Sequence, residues 1–364
     1  MDVRLSPGLL LSACAAALTL AGLLAGAAAA RQDGGNLNHG GDILIADQFN
    51  NRVVEIERGT HRIVWQFGDG SDKIGPRSIV GTNDAERFGS YTLISGTGIP
   101  PSGPVAGTAL LPGCSTPDTG CPDNRVIIVN RAGEIVWQYG PAELNTPVHA
   151  LFLSEFPRHP GFHVMITDQA NERVILVNLL TKSVDWQYGT TGMTGSADNQ
   201  LNNPNSAELL PNGHVLIADE NNNRVIEVTV DQHIVTQFTG AGSVSGAAFA
   251  SRLPNGNTLI TDSNNNRIIE VDPTDNIVWQ YATNLQRGSN PAPLPTRAVR
   301  LRNGHTLISD QFNDRVIEVT RAGEIVFQQG ALNVAGAGFD QLNGPYDAKA
   351  IGDFTGLTPP FNSQ

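Results

Sequence analysis

The chain has 364 residues, of which only 16% are charged, and a formal net charge of -12. An acidic surface argues against a nucleic-acid backbone as partner, because such binding rests on Lys and Arg neutralising phosphates. The 39 glycines and 22 prolines, with no long amphipathic stretch, point to short strands joined by tight turns.

In chain order, residues 1–30 read as a targeting segment. Arg4 precedes a mainly apolar stretch from Leu9 to Ala30, which ends in Ala27-Ala28-Ala29-Ala30 before Arg31, the small-residue site that signal peptidase cuts. Export to a periplasmic or extracellular location is therefore expected. Two alternatives stand beside it. Residues 9–30 are long enough to stay as an uncleaved membrane anchor, which would be the chain's only membrane contact. Leu11-Ser12-Ala13-Cys14 also has the form of a lipoprotein box, although the apolar run continues well past Cys14. Residues 31–40 read as a linker, residues 41–356 as one repeat domain, and residues 357–364 as a tail.

Within that domain one phrase recurs six times, in the form NGHVLIADENNNRVIEV, a short gap, then roughly IVWQYG. Its arginine falls at Arg52, Arg125, Arg173, Arg224, Arg267 and Arg315, mostly spaced by roughly 40–50 residues, the length of a propeller blade. Leu216 to Asp219 and Arg224 to Val228 flank an Asn-rich turn and predict a hairpin. Ile277 to Tyr281 predicts a third, outer strand, and the segment from Pro204 to Leu210 predicts a fourth, inner one. Related inner pieces begin at Pro76, Pro147, Pro295 and Pro345, with Ala247 in place of proline in the fifth copy. Four antiparallel strands repeated six times make an all-β, six-bladed β-propeller. The first copy starts at its second strand, and the chain ends on an inner strand, Gly344 to Ile351, with no hairpin after it. The C-terminal strand is therefore expected to complete the first blade and close the ring, leaving no open sheet edge there. A monomer is expected.

Blade 2 carries an insertion, residues 96–123, where Gly96 replaces the usual aspartate. In an exported chain, its Cys114 and Cys121 predict a disulfide, and the loop reads equally as a flap pinned over one face or as a tolerated surface insertion. Their spacing does not support a metal or redox motif. The recurring Asp47, Asp168, Asp219, Asp262 and Asp310 read as structural acceptors in the hairpin turn, and the recurring arginines as donors to a neighbouring blade. The Asn-rich turns lack the central glycine and closing glutamate of a calcium loop. Trp65, Trp137, Trp186 and Trp279 share one outer-strand position and read as packing between blades.

The LIAD-x-NNNRVIEV core resembles the NHL-type repeats of six-bladed propellers, and the NG hairpin followed by VWQY resembles the repeats of arylsulfotransferase-like propellers. The resemblance covers Gly41 to Phe354 and implies the propeller fold. It implies no single activity, since NHL-type propellers include protein-binding and nucleic-acid-binding modules as well as lyases.

Residues at the central channel that are not repeated by type are the candidates for function. Alignment of the inner strands on their proline or on the Asn-Gly turn makes Ser78, His149, Ser206, Phe249, Arg297 and Asp347 equivalent, preceded by Arg77, Val148, Asn205, Ala248, Thr296 and Tyr346. From these, Arg77, His149, Asn205, Ser206, Arg297, Tyr346 and Asp347 are the expected ligand-binding set. His149, Arg297 and Asp347 form a mixed-charge cluster at the channel mouth, with His149 the candidate acid or base. His163, His214 and His305 share one repeat position and read as structural, so the alignment leaves His149 alone and disfavours a zinc site. No cofactor is expected. The expected function is an exported scaffold that binds a protein or a small polar or anionic ligand at the channel face. The alternative is a propeller enzyme of sulfotransferase-like or lyase-like type using His149.

Overall fold

A computed structural model describes residues 39–101, 112–116 and 118–353. The leader, most of the linker and the tail lie outside the described residues. The described chain forms six four-stranded antiparallel sheets, a six-bladed propeller. The inner strands of blades 1 to 6 are Pro345–Ala350, Thr82–Phe88, Pro147–Leu153, Pro204–Leu209, Ala247–Arg252 and Arg297–Arg300. Blade 1 unites the two ends of the domain, because Pro345–Ala350 pairs antiparallel with Ile43–Asp47. No helix among the described residues is long and apolar enough to cross a membrane.

Each blade buries its apolar strand residues against the next blade rather than within itself. The resulting clusters sit at the seams. Leu93, Ile128 and Trp137 of blade 2, for example, pack with Ala150, Val164 and Ile166 of blade 3. This is why a single repeat has no core of its own and a ring is needed.

A second device repeats at every seam. The residue after each hairpin turn is left-handed: Asn51, Asn124, Glu172, Asn223, Asn266 and Asp314, with φ between 51° and 58°. Asn and Asp tolerate this region better than most residues. Each of these side chains accepts the backbone N–H of a residue entering the next blade. The donors are Gly81, Thr146, Asn203, Gly246, Leu294 and Gly344 in order. The sixth bond, from Gly344 to Asp314 at 3.0 Å, closes the circle. Gly344 has φ +58°, and a Cβ there would lie 2.4 Å from the Phe49 ring, so only glycine fits this seam.

The repeated aspartate and arginine differ from expectation in their partners. Asp168, Asp219 and Asp47 accept backbone N–H groups from the loop arriving at their own inner strand, from Asn145, Asn202 and Asn343, not from the hairpin turn. Their second oxygen holds the Nε of the repeated arginine at 2.7–2.8 Å. The arginine stays within its own sheet and reaches on to that same arriving loop, as Arg173 does to the Glu143 carbonyl. In blade 2, where glycine stands at position 96, Asp123 takes over. It pairs with Arg125 and accepts the Val80 N–H at 2.7 Å. Cys114 and Cys121 form the expected disulfide. The described part of their loop packs with Phe49, Val80 and Ile99 and against Phe312.

Deleting Gly344–Gln364 removes the inner strand of blade 1 and the sixth interblade bond. The truncated protein is expected to lose its cooperative thermal transition, measured by circular dichroism. An unchanged melting curve would contradict closure.

Candidate functional site

An inner strand pairs on one side only, so its free edge presents backbone N–H and C=O groups to the ring axis. Buried groups of this kind must find partners. In each inner strand the position before a shared alanine carries the channel side chain: Asp347, Asp84, His149, Ser206, Phe249 and Arg297. The alanines that follow are Ala348, Ala85, Ala150, Ala207, Ala250 and Ala298.

This register corrects one blade of the sequence alignment. Pro76, Arg77 and Ser78 precede the inner strand of blade 2, which starts at Thr82, so Asn83 and Asp84 occupy the places given to Arg77 and Ser78. Arg77 is exposed in the approach loop, and the Ser78 hydroxyl donates to the Lys73 carbonyl at 2.6 Å. The inner strand of blade 2 starts at Thr82 and has no proline there, so alignment on Pro76, which lies within the approach loop, could not register it.

Four of the six channel side chains perform one task. Asp347 accepts the N–H of Ala85 at 3.2 Å, and Asp84 that of Ala150 at 3.1 Å. His149 Nδ1 accepts the N–H of Ala207 at 3.5 Å, and Ser206 Oγ that of Ala250 at 3.2 Å. Each bond runs from one blade to the next. Two positions further along the same strands, Glu86 accepts the Phe152 N–H at 2.9 Å and Glu208 the Arg252 N–H at 2.8 Å.

Arg297 serves the carbonyls. It is 1% exposed, and its guanidinium donates to the backbone oxygens of Val148, Ala248 and Thr296 at 3.0–3.2 Å and to Asn205 Oδ1 at 2.9 Å. The Phe249 and Tyr346 rings each lie 5.0 Å from its central carbon. One side chain thus gathers blades 1, 3, 4, 5 and 6 about the axis. The Asn205 amide also donates to the Tyr346 hydroxyl at 3.1 Å.

Beside this plug lies a charged cluster absent from the sequence-based set. Lys349 Nζ donates to Asp347 at 2.6 Å, to Asp84 at 2.8 Å and to the Ala85 carbonyl at 3.0 Å. Burial opposes the Lys349 charge, but Asp347, Asp84 and Glu86 outweigh it and hold the ammonium above its usual range. Burial raises Asp347, and Lys349 offsets part of that. Burial also pushes the Glu86 carboxyl up to about 8. His149 moves the other way. Burial and the nearby Arg297 and Lys349 charges hold it well below the ordinary imidazole range, so it is neutral. With Nδ1 accepting from Ala207, the proton sits on Nε2, 3.9 Å from Asp84 Oδ1. The mixed-charge cluster expected at the channel mouth is therefore inside the channel, and its members bind one another and the backbone.

The mouth itself is built by the residues that follow the aspartate position: Gln48, Thr97, Gln169, Glu220, Ser263 and Gln311. Gln48 donates to Asn83 at 2.8 Å, and Gln311 to Gln48 at 2.7 Å. Glu220 accepts from Asn205 at 2.8 Å and from Gln169 at 3.2 Å. Glu220, Gln169, Thr97 and Tyr346 are half-buried there. Burial raises Glu220 despite its bond to Asn205 and the field of Arg297. The cysteine loop meets the same face through Phe49. Among the described residues one trio has metal-ligand character, Asp72 with Cys114 and Cys121, and the disulfide consumes both thiols.

No family model matches the chain. No curated protein matches it either. Among solved structures it is similar to a protein of unknown function from Bacteroides caccae, at 15% identity and a TM-score of 0.52, over 80% of this chain and 93% of that one. Virginiamycin B lyase from Staphylococcus aureus aligns at 16% identity and a TM-score of 0.45, over 71% of this chain and 75% of that one. The WD40 propeller domain of Doa1 aligns at 11% identity and a TM-score of 0.48, over 81% and 83%. At these identities the Bacteroides likeness speaks for the propeller fold alone.

Two outcomes follow from the bonding. Arg297→Met keeps the bulk but leaves several backbone carbonyls without a donor. It is expected to cost at least about 3 kcal/mol in chemical denaturation. A loss within error of zero would mean that the guanidinium is not structural. Glu86 is raised from 4.5 to about 8 in the fold, so the folded state binds its proton more tightly than the unfolded chain. That contribution is present at low pH and is lost as pH rises through the folded value. Glu86→Gln keeps an acceptor for Phe152, so its melting temperature relative to the parent should rise between pH 5 and about 9. A constant difference would refute the shift.

Proposed function

We propose that this chain is an exported propeller that binds its partner on the face carrying the channel mouth, and that it works as a scaffold rather than an enzyme. One observation supports this above the others. His149, Ser206, Asp347 and Arg297 spend their hydrogen bonds on the inner edges of neighbouring blades. His149 is 3% exposed and neutral, with its acceptor nitrogen engaged, so it is not a free base. The polar groups still open to a partner are at the mouth, around Gln169, Glu220 and Tyr346. They offer chiefly acceptors, which suits a polar ligand or protein surface rich in donors. The NHL-like wording of the repeat is in keeping with this reading, since propellers of that type include protein-binding modules. The apolar leader and the disulfide support export.

The test uses the mature protein and a Gln169→Ala/Glu220→Ala variant as paired baits in native extract, with aryl sulfate and cyclic ester turnover assayed in parallel for the parent and His149→Ala. A partner held by the parent and lost by the mouth variant is the expected result. Turnover that depends on His149 would overturn the proposal.

A further inference from the structure

The outer flank of blade 2 holds a groove of about 510 Å³, away from the channel face. Ile74, Gly75 and Pro76 of the approach loop form one wall, and the outer strand from Ile135 to Gln138 forms the other. Arg125 and Lys182 complete the lining, the latter from the outer turn of blade 3, which covers Trp137 by accepting its indole N–H at the Leu179 carbonyl, 2.9 Å away. Ile74 and Val136 are 49% and 44% exposed.

Blade 2 shares with blade 4 a repeated arginine and glutamine that do not bond each other. In blade 4, among the described residues, Arg224 binds Asp219 alone and the Gln237 amide has no partner. What sets blade 2 apart is the groove beside the pair. In blades 3, 5 and 6 the Nη1 of the repeated arginine donates to the repeated outer-strand glutamine: Arg173 to Gln187, Arg267 to Gln280 and Arg315 to Gln328, at 3.0–3.4 Å. In blade 2 Arg125 spends Nε and Nη2 on Asp123 and the Ser78 carbonyl. Among the described residues, Arg125 Nη1 and the Gln138 amide have no hydrogen-bond partner, and both residues line the groove. Arg125 is only 3% exposed, so its charge is held under the groove by a fixed ion pair. Lys182 Nζ stands 6.0 Å from the Trp137 ring centre, and no carboxylate among the described residues pairs with it. The approach loop adds Lys73 and Arg77, both exposed, beside Pro76. On a chain of net charge -12, the groove lining carries two cations and no carboxylate, although Asp72 stands beside Lys73 and Asp123 pairs with Arg125.

We propose that this groove binds a small organic oxyanion, a carboxylate or sulfate carried on a flat apolar body. Arg125 Nη1, the Gln138 amide and Lys182 supply donors that fit an oxyanion, and guanidinium and ammonium groups form the stronger, charge-assisted bonds. Ile74, Pro76, Val136 and the Trp137 ring supply the apolar wall for the body of the ligand. Arg77, assigned to the channel by sequence, stands at the edge of this wall.

Naphthalene-2-carboxylate and its neutral carboxamide are the probes, titrated against the mature protein and followed at the Trp137 indole and Gln138 side-chain amide signals by NMR. The carboxylate is expected to give saturable shifts at both, with the carboxamide at least about tenfold weaker. Lys182 has φ +59°, a conformation asparagine accepts, so Lys182→Asn removes the charge and keeps the turn. That variant is expected to bind the carboxylate about fivefold or more weakly at an unchanged melting temperature. Equal affinity for the two probes, an affinity in Lys182→Asn within about twofold of the parent, or no saturable shift at Trp137 and Gln138 would overturn the proposal.

Discussion

The ring depends on how it treats the free inner edges of six sheets. A sheet edge in water needs nothing, but an edge turned toward a closed axis loses its solvent partners, and each orphaned backbone group costs about 1–3 kcal/mol. The chain meets this by lending side chains from one blade to the backbone of the next. Asp347, Asp84, His149 and Ser206 accept N–H groups in succession, and Arg297 donates to the carbonyls. Where the series reaches Phe249 and Arg297, acceptors give way to a stacked ring and a guanidinium. Lys349 is then required in turn, because Asp84 and Asp347 would otherwise be buried carboxylates side by side.

The seams show that ionic and apolar solutions exchange freely at one structural position. The residue paired with the outer-strand position of Trp65, Thr236, Trp279 and Phe327 is Glu55, Glu227, Glu270 and Glu318 in turn, in four blades. Glu55, Glu227 and Glu270 reach Arg87, Arg252 and Arg300 on the next inner strand, at 2.6–3.0 Å. Blades 2 and 3 carry Ile128 and Leu176 there, and their neighbours present Phe152 and Leu209 instead of arginine. At the closing seam the inner strand offers Ala350, and Arg58 from the outer turn of blade 1 pairs with Glu318. A buried pair and a well-packed apolar pair are of comparable worth, and both solutions occur at this position within one ring.

The blade count, the closing strand and the disulfide were all legible in the sequence, because repeats and chain ends carry that information directly. The inner-strand register was legible too, but in a different residue. The alanines from Ala85 to Ala348 mark it in all six blades, and Asn83-Asp84-Ala85-Glu86 matches Asn205-Ser206-Ala207-Glu208. Alignment on Pro76 passed over this. Lys349 was missed because it follows one of those alanines, outside the positions compared. Unrepeated residue types at the channel need not signal chemistry, for a physical reason. Asp, His and Ser differ in name yet share the capacity to accept a hydrogen bond, so a duty repeated around the ring was written in different letters.

That result changes which deviations deserve weight. In a repeat protein, a residue that varies between blades is uninformative if its atoms complete the same backbone bond everywhere. A residue that is invariant becomes informative where a bond it makes in some blades is absent and a groove lies beside it. The repeated arginine and glutamine are present in blade 2 as elsewhere, and sequence comparison gives no reason to single them out. Replacement of the usual aspartate by Gly96, with Asp123 standing in from a different direction, goes with a changed set of bonds for Arg125. Its Nη1 and the Gln138 amide are left toward the flank groove. The inner belt, by contrast, spends most of its donors and acceptors on the backbone of neighbouring blades, with Arg297 Nε and Asp347 Oδ1 left over, which is nearer the condition of a structural core.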